Sequence, residues 1–517
     1  MRRRIFGLET EYGIAVGGDD GRLAPSQSAA TNRLFDTGLS VTTVNQFLVN
    51  GARCYPDLGH PEYATAECDH PDDLLAQDRA GEELLVRLTH DAANTLRYEY
   101  GPQTRARLVK NNVDQAGNSY GCHENYCTPR TIPVDEVVDR IGGFLATRAI
   151  WAGAGQLIDE LDGTVRFVTM QRAPFLAVLV SSGSTRNRGI INNRDEPHAN
   201  CEEYRRLHVV VGDSTMADTT TWLKIAATHL VLRVVEEGPY ANRWRRLAPR
   251  DVEAALKAIS SDLDGRGRYR TVTGRWADAL EVQRYYHARV GAMLARHGGE
   301  KWEHEAYGMW GEALDALAED WRRLIGIFDW PTKLSLLEAL AARYGSLEHP
   351  KVRLADLRWH DPDPEVGLAR KLEATGRLVR RIDDDAIAHA LEHPPATTRA
   401  ALRSEIIRRA HGADRHITPQ WAYVLLGVSG FRFRLDDPFR TEDPELLAEL
   451  DHWIETGDIP GHEETPKVVA ARDGDLEDAI DGFTRRRAFE AGMTAAQAEA
   501  YVATLYARQA RQRRDAA

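Results

Sequence analysis

Two carboxylates, Glu9 and Glu11, stand one residue apart in the segment Arg4-Ile5-Phe6-Gly7-Leu8-Glu9-Thr10-Glu11-Tyr12-Gly13-Ile14. Read as a β-strand, the segment puts Phe6, Leu8, Tyr12 and Ile14 on one face and Gly7, Glu9, Glu11 and Gly13 on the other. The first face can pack against a helix. The second carries two like charges flanked by glycines, so a bulky positive group can approach the backbone. Such charges repel unless a cation or an arginine lies between them. A solvent-facing strand with ordinary surface glutamates is the plain alternative, and residues further along weigh against it.

The densest such stretch is Arg53-Cys54-Tyr55-Pro56-Asp57-Leu58-Gly59-His60-Pro61-Glu62-Tyr63-Ala64-Thr65-Ala66-Glu67. As a strand, Arg53, Tyr55 and Asp57 share a face. Gly59-His60-Pro61 then turns the chain, which returns with Glu62 and Thr65. Burying a guanidinium, a phenol and these carboxylates is costly without an ionic partner. A salt-bridged hairpin would be the purely structural reading. Pro56 in mid-strand, however, implies an edge or a bulge, a place where sites are often built.

Asn118-Ser119-Tyr120-Gly121-Cys122-His123-Glu124-Asn125-Tyr126 packs hydrogen-bonding side chains around a glycine, and His123 can be a metal ligand or a hydrogen-bonded core residue. Arg194, in Gly189-Ile190-Ile191-Asn192-Asn193-Arg194-Asp195-Glu196-Pro197-His198, stands where a strand would end and suits phosphate or carboxylate recognition. His208 alternates with Arg206 and Val210, so it faces inward or towards a site. The chain has no Walker-type loop, Rossmann fingerprint, HExxH or nucleophile elbow. Nucleotide chemistry here would therefore use carboxylate-held magnesium on a sheet, with arginines on the phosphates.

The elements that must position these groups are legible in outline. Residues 71–98 read as a helix with a stripe of Leu74, Leu75, Leu84, Leu85 and Leu88. Residues 107–110 read as a short strand, 134–150 as a helix, 167–181 as one long β-rich strand and 206–211 as another. From Met216 to about residue 345 the chain reads as mostly helical, opening with a helix over 219–237. A helix over 397–411 leads to a short segment around Trp421, and charged helices follow Asp436.

A chain of 517 residues with 43% hydrophobic and 28% charged content reads as a soluble globular protein of two or three domains. Its net charge of −12 argues against broad nucleic-acid or membrane-surface binding. Five cysteines without CxxC spacing suit a reducing cytosol, and Cys122 and Cys127 read as buried thiols rather than metal ligands. No signal-peptide stretch and no run of roughly 18 apolar residues occurs, so a cytoplasmic location is expected.

Several segments together resemble the Pup ligase/depupylase family: residues 7–13, Asn50-Gly51-Ala52-Arg53, residues 60–68, Lys110-Asn111-Asn112, residues 117–126, residues 194–198 and Tyr204 to Val209. They occur in the expected order between residue 3 and about 430. The resemblance implies an α+β, glutamine-synthetase-like fold: an antiparallel sheet with helices packed on it over 1–395 and a small C-terminal domain over 396–462; the polar, Arg-rich composition of the tail reads as a charged helical extension over 463–517. The resemblance implies ATP and magnesium as cofactors, a small disordered Pup-like tag and lysine-bearing proteins as partners, and neither nucleic acid nor membrane. Carried over by position, it makes Glu9, Tyr55 and Glu62 magnesium-site residues, with Glu11, His123 and His208 as further members of that shell. Arg53, Thr65 and Trp421 match nucleotide contacts, Arg194 a phosphate-facing arginine, and Asp57 the catalytic carboxylate that accepts a proton.

Within that family, the ligase joins the side-chain carboxylate of a C-terminal Glu on the tag to a lysine, and the depupylase cleaves that bond. The depupylase characteristically carries a long insertion between its first Glu strand and the Asn-Gly-Ala-Arg strand. Here only residues 12–52 separate Glu11 from Arg53, the uninterrupted ligase layout. Residues 64–67, 117–122 and 153–155 also read as ligase variants. Other features depart from the ligase pattern: Gly189 where ligases tend to have Pro, Asn193 for the usual Thr, Pro56, the short Gly59-His60 turn, and a long tail. The expected activity is ATP-dependent ligation. The alternatives are hydrolysis by a depupylase or deamidase, a small-molecule carboxylate-amine ligase, and a binding protein without activity.

Overall fold

The computed structural model describes residues 1–17, 25–38, 46–114, 117–183, 187–237, 246–413, 415–427 and 431–458. In chain order its first elements are β1 (Phe6–Glu11), β2 (Gly13–Gly17), α1 (Gln27–Gly38), β3 (Gln46–Phe47), β4 (Arg53–Asp57), β5 (His60–Ala64), α2 (Pro71–Tyr100), β6 (Arg105–Val109) and β7 (Cys122–Pro129). There follow α3 (Val134–Thr147), α4 (Ala149–Ala152), β8 (Gln156–Asp159), β9 (Val165–Val168), β10 (Val178–Ser181), β11 (Gly189–Asn192), β12 (Tyr204–Val209) and α5 (Asp218–Glu236). Eight strands form one sheet in the order β10-β11-β12-β7-β1-β5-β4-β3, antiparallel except for the β10–β11 pair. The fold is therefore α+β, as expected.

Alternation decides which face of the sheet is covered. Phe6, Leu8, Tyr126, Leu207, Val209 and Ile191 point into one hydrophobic core with Ile141 and Phe144 of α3 and Leu223 and Ala227 of α5. Helix α5 is buried from Asp218 to Val235, as a helix apolar nearly all round must be. Helix α2 starts at Pro71, where His70 caps it by accepting the Asp72 N–H at 3.2 Å, and ends at Gly101, whose φ of 113° only glycine takes readily. It packs so close to β5 that a Cβ on Gly81 would lie 2.7 Å from Tyr63 ring atoms.

Five expectations about elements need correction. The strand over 4–14 is two strands, because at Tyr12 the chain leaves the main sheet and β2 pairs with β6 instead, Gly13 opposite Val109. The hairpin after Asp57 turns at Leu58-Gly59, both with positive φ (45° and 92°), as tight primed turns require; His60 and Pro61 already belong to β5. The long strand over 167–181 is broken. Asp213 accepts the backbone N–H groups of Gln171 and Arg172, and Pro174, which has no N–H, starts a short 3₁₀ turn. The helix over 134–150 breaks at Arg148, and a two-stranded hairpin (Arg268–Arg270 with Trp276–Asp278) interrupts the helical region.

Pro56 sits directly opposite Pro61. Two residues without N–H groups can face each other only at a non-hydrogen-bonded position, and the Pro61 carbonyl turns the other way to accept from Tyr12 at 2.9 Å. The register of β4 with β5 runs unbroken through Pro56, so among the described residues the position carries no bulge.

Buried ion pairs tie the covered face together. Glu124 of β7, beneath the sheet, takes Arg148 Nη1 at 2.8 Å and the Tyr126 hydroxyl at 2.7 Å. Lys110 reaches Asp78 at 2.6 Å and Glu82 at 2.9 Å on α2, and Glu82 also receives Arg370 at 2.6 Å. Glu67 is held by Arg399 at 2.8 Å and by Arg403, both on the helix Arg399–Gly412. The chain divides into two compact units, Met1–Val424 with Phe433–Pro444, and Leu425–Arg432 with Glu445–Ala517. The extension expected over 463–517 lies outside the described residues. Among those described, no helix is long and apolar enough to cross a membrane.

Replacing Arg148 with Met strands the Glu124 carboxylate in the core, and a loss of about 3–5 kcal/mol is expected. Denaturant titration reads this, and an unchanged midpoint would refute the anchoring role. Burial pushes the Glu67 carboxyl up, but Arg403 and Arg399 outweigh it and bring it down to about 2. Its folded value lies below its unfolded one, so its stabilisation is complete above about pH 4.5 and is lost as pH falls towards 2. Glu67→Gln should therefore flatten the acid limb of a stability-against-pH curve.

Candidate functional site

The open face of the sheet carries the site, and strand register assembles it in rows. Glu11 lies opposite Glu62, which lies opposite Tyr55. In the next row His123 flanks Glu9, followed by Ala64 and Arg53. A third row runs His208, Asn125, Gly7. Because side chains directly opposite across antiparallel strands share a face, every second residue of five strands converges here.

Two ligand sets result, each with donor atoms within 4.8 Å of one another: Glu9, His123 and His208, and Glu11, Asp57 and Glu62. Glu9 takes Asn125 Nδ2 at 3.1 Å and lies 3.4 Å from both His123 Nδ1 and Arg206 Nη1. Burial pushes its carboxyl up, but the His123 hydrogen bond and the charge of Arg206 hold it well below the usual range. Both ring nitrogens of His208 are buried without a hydrogen bond among the described residues, and burial pushes its pKa down to about 3, leaving a neutral imidazole.

The carboxylate trio is the less compensated set. Glu62 receives the Tyr55 hydroxyl at 2.5 Å, and Glu11 receives the Gly121 N–H at 2.8 Å. A Cβ on Gly121 would lie 2.7 Å from that Glu11 oxygen, so the close approach needs glycine. Burial, then Glu9 and Glu11, push Glu62 well up; burial, then Glu11, push Asp57 up. Among the described residues no salt bridge neutralises the trio. An all-oxygen set short of positive charge fits a hard divalent cation such as magnesium, and the orphaned nitrogens of His208 fit a second, mixed nitrogen–oxygen set.

A cleft opens beside Glu9, lined by Gly7, Thr65, His198, Arg206, Arg399 and Trp421 among others. The Thr65 hydroxyl accepts the Leu8 N–H at 3.1 Å, and the Trp421 ring meets Phe47 edge-on at 4.8 Å. Arg53 lies over the Tyr55 ring at 4.2 Å. Arg194 is exposed beyond the end of β11, where its Nε donates to the Ser182 carbonyl at 3.1 Å. Of the expected residues, Glu9, Thr65 and Trp421 line the cleft, and Arg194 does not. Asp57, expected as the catalytic carboxylate, brings a carboxylate oxygen within 4.8 Å of those of Glu11 and Glu62. Arg206 and Arg399 were missed as candidates. Arg206 carried a signal, two residues before His208 on the same strand face; Arg399 carried none, because only folding brings its helix to Glu67.

A profile described as Pup-ligase protein matches residues 4–425. The chain belongs to the Pup-ligase family. A Pup–protein ligase of Acidimicrobium ferrooxidans is 45% identical over 453 residues, 86% of this chain and 98% of that one. One from Nakamurella multipartita is 41% identical over the same shares. The solved complex between prokaryotic ubiquitin-like protein Pup and its ligase PafA superposes with a TM-score of 0.78 at 31% identity, covering 93% of this chain and 95% of that one. The Pup ligase PafA in complex with ADP gives 0.71 at 33% identity, covering 80% and 90%.

If the trio holds a divalent cation, Glu62→Gln weakens it by more than about tenfold, a loss that even outer-shell changes cause at metal sites. Titrating magnesium at fixed nucleotide reads this, and wild-type affinity would remove Glu62 from the site.

Proposed function

We propose that this chain is an ATP-dependent Pup–protein ligase. It activates the side-chain carboxylate of a C-terminal Glu on a Pup-like tag and joins it to substrate lysines through an isopeptide bond. The observation that carries the reading is the convergence of Glu9, Glu11, Asp57, Glu62, His123 and His208 on one sheet face beside a cleft lined by Thr65, Arg206 and Trp421. Relatives named Pup–protein ligase, matched along nearly their whole length, support the ligase over the depupylase direction. So does the short stretch 12–52.

The chain's own residues divide the work. Thr65 and Trp421 position the nucleoside, with Trp421 offering a ring beside the guanidinium of Arg403, 5.1 Å from its centroid. Arg206, held between Glu9 and Glu196, and Arg53, on Tyr55, offset phosphate charge. Arg194, exposed beyond β11 and within electrostatic reach of His208, guides the phosphates in. Tyr55 fixes the Glu62 carboxylate; Gly121 fixes Glu11. Magnesium held by these groups would neutralise the triphosphate and favour transfer of its γ-phosphoryl group. The tag carboxylate, a poor electrophile, becomes an acyl phosphate, a good one. Asp57, pushed up by burial and Glu11, then takes a proton from the lysine ammonium so that its amine can attack and phosphate departs.

The test is conjugation of a Glu-ending tag to a lysine substrate with ADP counted per bond formed. Stoichiometric ADP supports ligation; tag release without ATP turnover would make the chain a hydrolase. Asp57→Asn is expected to keep nucleotide binding and lose conjugation by about 100-fold or more, the usual scale of a general base. Conjugation by the Asn variant at the wild-type rate would refute the base assignment.

A further inference from the structure

A second cavity, of about 360 Å³, adjoins the carboxylate trio and shares no lining residue with the cleft beside Glu9. Its lining includes Glu11, Asp57 and His123 together with Arg172, Arg188 and Asn192. Its size suits a single amino-acid residue at the end of a chain. Its wall carries both signs of charge: carboxylates able to hold a cation and two guanidiniums.

The arginines are built into the fold. Arg172 is buried; its Nη1 donates to the Val210 carbonyl at 2.6 Å, and its Nε finds no partner among the described residues. Its backbone N–H is fixed by Asp213 at 3.3 Å, the contact that breaks the expected long strand. Arg188 is half-buried, just before β11, and donates from Nη1 to the Ser119 carbonyl at 2.9 Å. Burial and the nearby charge of Arg188 bring the Arg172 pKa down to about 10. The two guanidiniums repel one another, Glu11 offsets this in part, and a further anion bound by both relieves it.

Resting on the ligase reading above, we propose that Arg172 and Arg188 bind the α-carboxylate of the tag's C-terminal residue and thereby set which carboxylate is activated. A C-terminal Glu carries two carboxylates of similar reactivity. With the α-carboxylate held by the arginines, only the side-chain carboxylate reaches Glu11, Asp57 and the cation they hold. The bond made is then an isopeptide from the side chain, never one from the main-chain terminus. Arg172 and Arg188 are specificity residues in this scheme, and the proton transfer stays with Asp57.

The test uses the full chain and two synthetic tags, one ending in Glu with a free α-carboxylate and one with that group as the amide, its side chain unchanged. For wild type, the amide is expected to raise KM by about tenfold or more, the loss of a charge-assisted hydrogen bond. Arg188→Gln should raise KM for the free-acid tag to the same level, leave KM for the amide tag unmoved, and leave ADP affinity at the wild-type value. Arg188→Lys, which keeps the charge, should recover part of the loss. Equal use of both tags by wild type would overturn the proposal. So would an Arg188→Gln penalty equal for both tags, or one that appears in ADP affinity and marks a phosphate contact. Wild type that conjugates neither tag would instead refute the ligase reading itself.

Discussion

Mutual repulsion among carboxylates forced onto one sheet face is the constraint on which the rest of this structure depends. Glu11, Asp57 and Glu62 have oxygens within 4.8 Å of one another, and each ionised pair at that distance repels by about 3–4 kcal/mol at an effective dielectric of 20. Nothing in the trio's own hydrogen bonds matches that cost, since Tyr55 and Gly121 supply neutral donors. The face is therefore poised for positive charge. A nucleotide–cation complex brings it, and so the apparent instability becomes binding energy.

Such a face survives folding because its underside is stiff. The strands that carry Glu9 and His123 also carry Leu8 and Glu124, and Glu124 is locked to Arg148 and Tyr126 in the core. A charged face held by a fluid core would splay apart to relieve repulsion, whereas an ion pair buried between β7 and the α3–α4 junction resists that motion. The second buried network, Lys110 with Asp78 and Glu82, does the same for α2.

The two faces of β1 could be read from alternation alone, because a period of two is local and the residue types are unambiguous. The grouping of Arg53, Tyr55 and Asp57 followed from the same arithmetic. What alternation cannot supply is neighbourhood: that Glu11 lies opposite Glu62 and Glu9 opposite His123 depends on sheet order, which non-local pairing decides. Hence the close approach of Asp57 to Glu11 and Glu62 could not be read from alternation, and Arg399 went unnoticed. The misread strand over 167–181 has a different cause. Its β-branched residues favour extension, but Asp213, some forty positions away, captures the backbone N–H groups that a strand would have used.

That capture connects the fold to the chemistry. By taking the N–H groups of Gln171 and Arg172, Asp213 bends the chain and places the Arg172 guanidinium in the wall of the cavity beside Glu11. A continuous strand would have alternated Arg172 with its neighbours along a ladder, and Arg188 would then be the one arginine of the two in that wall. The departure from local propensity is thus where the fold spends stability on the site: two arginines near one another and two carboxylates, Glu11 and Asp57, near one another, lining one cavity. Each group alone is unfavourable, and a ligand with a carboxylate at one end and a cation-bound carboxylate at the other relieves both at once. Charge separation on this scale selects orientation as well as affinity, because a ligand entering reversed would set anion against anion.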